Sequence, residues 1–422
     1  MRWVRSLLSS EVLHGEPLDV VLVEAVLAAS KLSIPFLTLY LVQARGFDYA
    51  TAGLLVAVRG AGGLVAVMLA GAIADRFGEK PVVLALLAGA SLSAATIPLL
   101  HSIPELMLGF FLLGSFVSAV QPAFSSLVVR TIPVRHWTEI YAAEYWALNV
   151  GFAFTAVIGG QVAVLAFDWL FYLEAAGTLI ALVLVARALP PTRPRHTASA
   201  TDAGLGLLER AGDALAAVSL AARDRLTVAL ISSTLLFALC LSQMTGTLPL
   251  DMQASGFSPE LYGYAIFLNG ALLTLLQIRA GRVVARRRGM RILAWAAAVA
   301  ALGYGMLAFL NQSLVLILVC VSVWTIGEMM DAPVRNAVVS ALATPSSRAR
   351  YLGLVSAALT VGFCIGPWIG GWVLQTLGRE ALWLGTAACA LACGLIRLAI
   401  TARVERRMAH SLRESQTPGC PA

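Results

Sequence analysis

Twelve long apolar runs, separated by short charged or turn-rich segments, constrain this sequence more than any other feature. They lie near 18–42, 51–74, 81–100, 104–129, 140–165 and 168–188, then 226–250, 260–279, 291–310, 314–342, 352–377 and 381–402. A helix needs about 20 mostly apolar residues to cross a bilayer, and in lipid it must satisfy its own backbone hydrogen bonds. Runs of this length are too long for barrel strands of about 10 residues. The expected fold is an all-α polytopic membrane protein with 12 transmembrane helices. A water-soluble fold is excluded by a chain 59% hydrophobic and only 13% charged, with mean hydropathy +0.83, because soluble domains carry about 25% charge.

The basic residues sort by side. Of those outside the runs, all fall in segments facing one way except Arg45 and Arg379, while Lys31, Arg59, Arg335 and Arg397 lie inside runs. By the positive-inside rule both termini are expected in the cytoplasm, with the chain multi-pass in the cytoplasmic (inner) membrane. The net charge of +7 then reflects topology, and no nucleic-acid partner is expected. The cysteines show neither metal-ligand nor disulfide-framework spacing and read as small packing residues. Arg2 and Arg5 ahead of an apolar stretch imitate a secretion signal, but Glu11, Glu16, Asp19 and Glu24 interrupt it, so a retained first span is expected.

Two halves echo each other. Gln43-Ala-Arg-Gly46-Phe47 recurs as Gln253-Ala-Ser-Gly256-Phe257, and Gly53 matches Gly263 at the same lag; Gly71 and Arg76 match Gly281 and Arg286. Pro122 pairs with Pro333, and Gly151, Gly159 and Gly160 with Gly362, Gly370 and Gly371. Such parallel repeats characterise transporter halves related about the membrane normal. The expected organisation is two pseudo-symmetric six-helix bundles, 1–188 and 226–402, with a cytoplasmic tail at 403–422. The linker at 189–225 is proline-rich and polar, then carries Leu205, Leu207, Leu208, Ala211, Leu215 and Val218 at the spacing of an interfacial amphipathic helix.

After the second run comes Gly71-Ala-Ile-Ala-Asp75-Arg76-Phe-Gly78-Glu-Lys80, which resembles the loop signature of the major facilitator superfamily. Gly362-Phe-Cys-Ile-Gly366-Pro367-Trp-Ile-Gly370-Gly371 resembles the glycine-proline signature of that family's drug/proton antiporters, displaced here from span five to span eleven. Further stretches resemble the multidrug-efflux branch, among them Thr247-Leu-Pro-Leu250, Gly327-Glu328 with Pro333, and Arg350-Tyr351-Leu-Gly353. The resemblance implies a major facilitator fold working by alternating access. It also implies a cytoplasmic conformational latch at Gly71, Asp75, Arg76, Gly78 and Lys80, which Arg130 and Glu144 complete, and a helix-packing motif at Gly362, Gly366, Pro367, Gly370 and Gly371. Two departures bear on coupling: Ala285 takes the acidic place in the second loop signature, and Phe110 stands where many proton-coupled members carry arginine.

A charge near the bilayer centre costs about 2.5–3.5 kcal/mol on insertion scales, so each one marks a candidate substrate or proton pathway. Glu24 and Lys31 lie on nearly one face of the first span, about 10 Å apart along a regular helix. Glu328, Asp331 and Arg335 share one face of span ten, with Asp331 placed to pair with Arg335 one turn on. Arg59 in span two, with Gln121, Gln243 and Asn269, completes the set. For each charge the alternative is a purely structural ion pair. Tyr40, Trp146, Trp324 and Trp368 are candidate aromatic lining, with packing as the alternative.

No nucleotide-binding Gly-x-x-x-x-Gly-Lys-Ser/Thr loop occurs, nor His-Glu-x-x-His or Gly-x-Ser-x-Gly. The chain is therefore expected not to be an enzyme and to need no cofactor or metal. The expected function is secondary active export of a small amphipathic organic compound or drug by proton antiport, from a monomer in the lipid bilayer. An importer or symporter of a nutrient or metabolite on the same fold, and a non-transporting membrane sensor, are the rivals.

Overall fold

The structure, a computed structural model, describes residues 16–131, 137–192, 224–284, 289–309, 313–342 and 348–416; the expected amphipathic helix of the linker lies outside them. Among the described residues every regular element is helical. The first half comprises α1 (Glu16–Ser30), α2 (Ser33–Leu39), which runs into a π-helical turn at Tyr40–Ala44, α3 (Tyr49–Phe77), α4 (Glu79–Thr96), α5 (Ile103–Thr131), α6 (Trp137–Leu165) and α7 (Asp168–Ala188). The second comprises α8 (Arg225–Gly246), α9 (Leu248–Ala254), α10 (Pro259–Val284), α11 (Gly289–Leu307), α12 (Leu314–Leu342), α13 (Arg348–Thr376) and α14 (Gly378–Gln416). Among the described residues, eleven segments are long and apolar enough to cross a membrane. The twelfth, α10, is 26 residues long and is made more polar by Glu260, Asn269 and Gln277.

Two compact units emerge: Met1–Leu208 with Thr245–Thr274, and Glu209–Met244 with Leu275–Ala422. In the first, α3 packs along α5, α4 lies against α5 and α7, and α1 against α6 and α7. The α3–α5 approach is backbone to backbone, since a Cβ on Gly114 would lie 1.9 Å from the Arg59 carbonyl oxygen. In the second unit, α11 packs on α12 and α14. Its aromatic centre stacks Tyr304 on Trp324 and Trp383, with ring centroids 4.8 and 6.3 Å apart. Leu92, Leu108, Phe154, Leu302 and Leu395 stay exposed in mid-helix, the outward apolar belt that lipid covers and water would not.

The repeat has structural counterparts. Gly46 and Gly256 both adopt left-handed backbone, φ 71° and 86°, which a residue with a Cβ resists. A Cβ on Gly151 would meet Ala28, and one on Gly362 would meet Ala238, so the fifth and first spans touch as the eleventh and seventh do. Arg45 and Arg379 are occupied by helix ends. Arg45 donates to the carbonyls of Ile97 and Pro98, at 3.0 and 2.8 Å, and Arg379 to those of Ala308 and Leu307, at 3.0 and 2.6 Å. Both supply donors where the last carbonyls of a helix are short of them. At the start of α3, Asp48 accepts from the Thr51 N–H and hydroxyl, and these bonds hold its carboxyl below the usual range.

Candidate functional site

The first span is not one helix. Regular α-helix stops at Ser30 and restarts at Ser33, placing Lys31 at the interruption. The N–H of Ser33, which opens α2, has no partner in its own chain segment and donates to Glu174 Oε2 of α7 at 3.0 Å. Below the break, Glu24 accepts from Gln121 Nε2 of α5 at 3.1 Å. Lys31 lies within electrostatic reach of Glu24, Glu174 and Arg59, and Arg59 within reach of Glu174. A cavity of about 20 Å³, lined by Ser30, Lys31, Gln121, Glu174 and Thr178 among others, lies between them, room for about one water. Thus Glu24, Lys31, Arg59 and Gln121, each named singly from the sequence, meet around Glu174, a carboxylate that was not singled out. Glu174 was legible only as a charge inside an apolar run, between Leu173 and Ala175.

Of the latch residues, Gly78 is the left-handed hinge between α3 and α4, φ 87°. Lys80 donates its backbone N–H to Thr192 Oγ1 at 2.9 Å, and its Nζ donates to the carbonyls of Ala186 and Leu189. Arg130 reaches Glu79, at 2.6 and 2.8 Å; the side chain of Asp75, its expected partner, lies outside the described residues, as does that of Trp146. Glu79 is buried, so this pair ties the loop to the end of α5. Gly71 falls inside α3, and Arg76 is exposed. Glu144 is buried and its Oε1 has no hydrogen-bond donor. Its charged neighbour is Glu24.

In the second unit Asp331 pairs with Arg335 one helical turn on, as the spacing predicts. A third member joins them: Arg397 of α14 lies 2.6 Å from Asp331 Oδ1. Its Nη1 also donates to the Leu293 carbonyl at 2.9 Å, its Nε to Ser233 Oγ at 3.4 Å, and its guanidinium lies 5.2 Å from the centre of the Phe237 ring. Arg397 is fully buried. The sequence marks it as an intramembrane charge but offers no partner, because the pairing joins helices 66 residues apart. Glu328 is half-buried on the same face of α12. Gln243 donates to the Gly366 carbonyl at 3.0 Å and, with Cys240, Gly370 and Thr386, lines a cavity of about 290 Å³. Gly366 faces Ser242 and Gln243 closely, and Gly362, Gly370 and Gly371 are buried beside Pro367 inside α13, as a packing motif requires. Asn269 is buried in the part of α10 that belongs to the first unit. Tyr40 and Trp324 are fully buried, so they pack and line nothing open.

The Major Facilitator Superfamily sequence model matches residues 25–330. Among curated proteins, the chain is 25% identical over 362 residues to the uncharacterized MFS-type transporter YqjV of Bacillus subtilis, covering 83% of this chain and 84% of that one. It is 24% identical to a Na(+), Li(+), K(+)/H(+) antiporter of Planococcus maritimus, covering 83% and 89%. It is 28% identical over 139 residues to the multidrug resistance protein MdtH of Yersinia pestis, about a third of each chain. Among solved structures, the nucleoside transporter NupG superposes with a TM-score of 0.76 at 15% identity, covering 91% of this chain and 98% of that one. Matched over most of its length by the family model, and sharing the twelve-helix fold of solved membrane transporters, the chain belongs to the major facilitator superfamily.

Proposed function

We propose that this transporter is a secondary active exporter of a small amphipathic organic compound, moving it outward in exchange for inward protons. Its two six-helix halves, 1–188 and 226–402, alternate access in the cytoplasmic membrane, with both termini in the cytoplasm. The observation that carries the reading is the buried cluster at the interrupted first span. Lys31 lies there within electrostatic reach of Glu24 and Glu174, and Lys31, Gln121 and Glu174 line a small cavity, charges whose cost in lipid points to use. The antiporter and multidrug names among its relatives support exchange with protons and an amphipathic cargo.

Proteoliposomes of the purified chain, with ethidium as the amphipathic probe, test it. Proton antiport predicts ethidium movement against an imposed proton gradient. Flux unaffected by that gradient overturns the reading, and ethidium moving with the protons replaces it by symport. The printed name of the Planococcus relative favours a second cargo, monovalent cations; sodium-driven proton release from the same liposomes, in place of ethidium exchange, would establish it.

A further inference from the structure

The buried charges of the first unit do not balance. Among the described residues of the cluster, Lys31 faces Glu24 and Glu174, Arg59 faces Glu174, and Glu144 faces Glu24. Each acid has a different environment. Glu174 accepts the Ser33 N–H and feels both cations. Glu24 accepts from Gln121 and feels Lys31. Glu144 is buried, its Oε1 has no donor, and its charged neighbour is another carboxylate. An ionised carboxylate is an acceptor only, whereas a protonated one brings its own donor. The surplus negative charge is therefore cheapest to remove at Glu144.

We infer that Glu144 is the proton-binding site of this unit, sharing one proton's worth of charge with Glu24 and so controlling how closely α1 and α6 pack. The inference rests on the proton-coupled reading above and moves Glu144 from the latch to the proton pathway. The two helices are joined further along by a contact that carries no charge. Gly151 of α6 faces Ala28 of α1, and Thr155 Oγ1 donates to the carbonyls of Ala28 and Ala29 at 3.1 and 3.3 Å. With the proton bound, Glu24 and a neutral Glu144 face each other without repulsion. When it leaves, two like charges in a poorly solvated place push the near ends of α1 and α6 apart about the Gly151–Thr155 pivot. The other elements around this pair bring Arg59 from α3, Gln121 from α5, Glu174 from α7 and Lys31 from the break. Glu144 lies within the fifth apolar run, 140–165, where a buried carboxylate with no donor is costly to ionise and the proton is correspondingly favoured.

The test is an infrared titration of the full-length chain in liposomes, following the protonated-carboxyl band between about pH 5 and about pH 9. Wild type should show a band that titrates near neutrality, Glu144→Gln should abolish it, and Glu24→Gln should keep it but move its midpoint to lower pH. A band unchanged by Glu144→Gln overturns the inference. Should that variant not fold, Glu144→Asp serves in its place, because a band from this residue shifts with the shorter side chain and a band from elsewhere does not. Gradient-driven ethidium flux should fall by about tenfold in Glu144→Gln, with gradient-free exchange within about twofold of wild type. If the band titrates through Glu144 but wild-type ethidium flux ignores the proton gradient, the antiport reading fails and the proton site stands.

Discussion

The charge clusters of the two units have opposite surpluses. Around the interrupted first span, three carboxylates face two cations; around Asp331, one carboxylate is held by two guanidiniums. The difference matters because a carboxylate can be neutralised by one proton near neutral pH, while a guanidinium stays charged at any pH a cell meets. Geometry follows the same division. Both clusters keep unsatisfied atoms, Glu144 Oε1, Glu174 Oε1 and Arg59 Nε in the first and Arg335 Nε and Arg397 Nη2 in the second, but the first sits at a break in a helix. The second is cross-linked, with Arg397 also tied to Leu293 of α11 and Ser233 of α8. The first is thus built to change its charge, and the second to keep four helices together. Glu328 lies half-buried beside the triad.

This contrast can be broken by substitution. The largest effect is expected for Asp331→Leu, which strands two buried guanidiniums and should cost about 3–5 kcal/mol, read as thermal unfolding of the detergent-purified chain; a change under about 1 kcal/mol would mean the triad holds nothing together. Arg397→Lys keeps the charge but cannot reach Asp331, Leu293 and Ser233 together, and should cost about 1–3 kcal/mol. Glu144→Gln should change stability less at acid pH and in the opposite sense at alkaline pH. Ionising this carboxyl, buried beside Glu24 with no donor on Oε1, costs the folded state, so wild type loses stability as the proton leaves with rising pH. The glutamine variant should not, and a stability profile that keeps the same slope would remove Glu144 from the cluster. The smallest effect belongs to Asp224→Asn, below about 1 kcal/mol, because its Arg407 partner is substantially exposed. Burial raises the Asp224 carboxyl, but the Arg407 and Thr227 bonds outweigh it and hold it below the usual range. Its contribution should be present at neutral pH and lost as pH falls through the carboxylate range.

The spans, the repeat and the i,i+4 pair Asp331–Arg335 were legible because each depends on local spacing, which a helix converts directly into position. Gly46 and Gly256 were readable for the same reason, as a left-handed turn needs glycine wherever it occurs. Pairings across helices were not legible. Nothing local tells Arg130 that it will meet Glu79, and nothing near Arg397 announces Asp331. The break at Lys31 escaped as well. Read as one continuous helix, the run from 18 to 42 would place Glu24 and Lys31 about 10 Å apart; Pro35, with no N–H for the Lys31 carbonyl, is the local trace of the interruption, while the capping carboxylate of Glu174 lies 141 residues away.

The central claim, that the first unit carries the proton and the second is a fixed lock, is tested most directly by the pH profile of ethidium flux in proteoliposomes for Glu144→Gln and Arg397→Lys side by side. The account predicts a profile flattened by the first substitution and unchanged in shape by the second, whatever the second costs in stability. A profile preserved in Glu144→Gln and abolished in Arg397→Lys would contradict it.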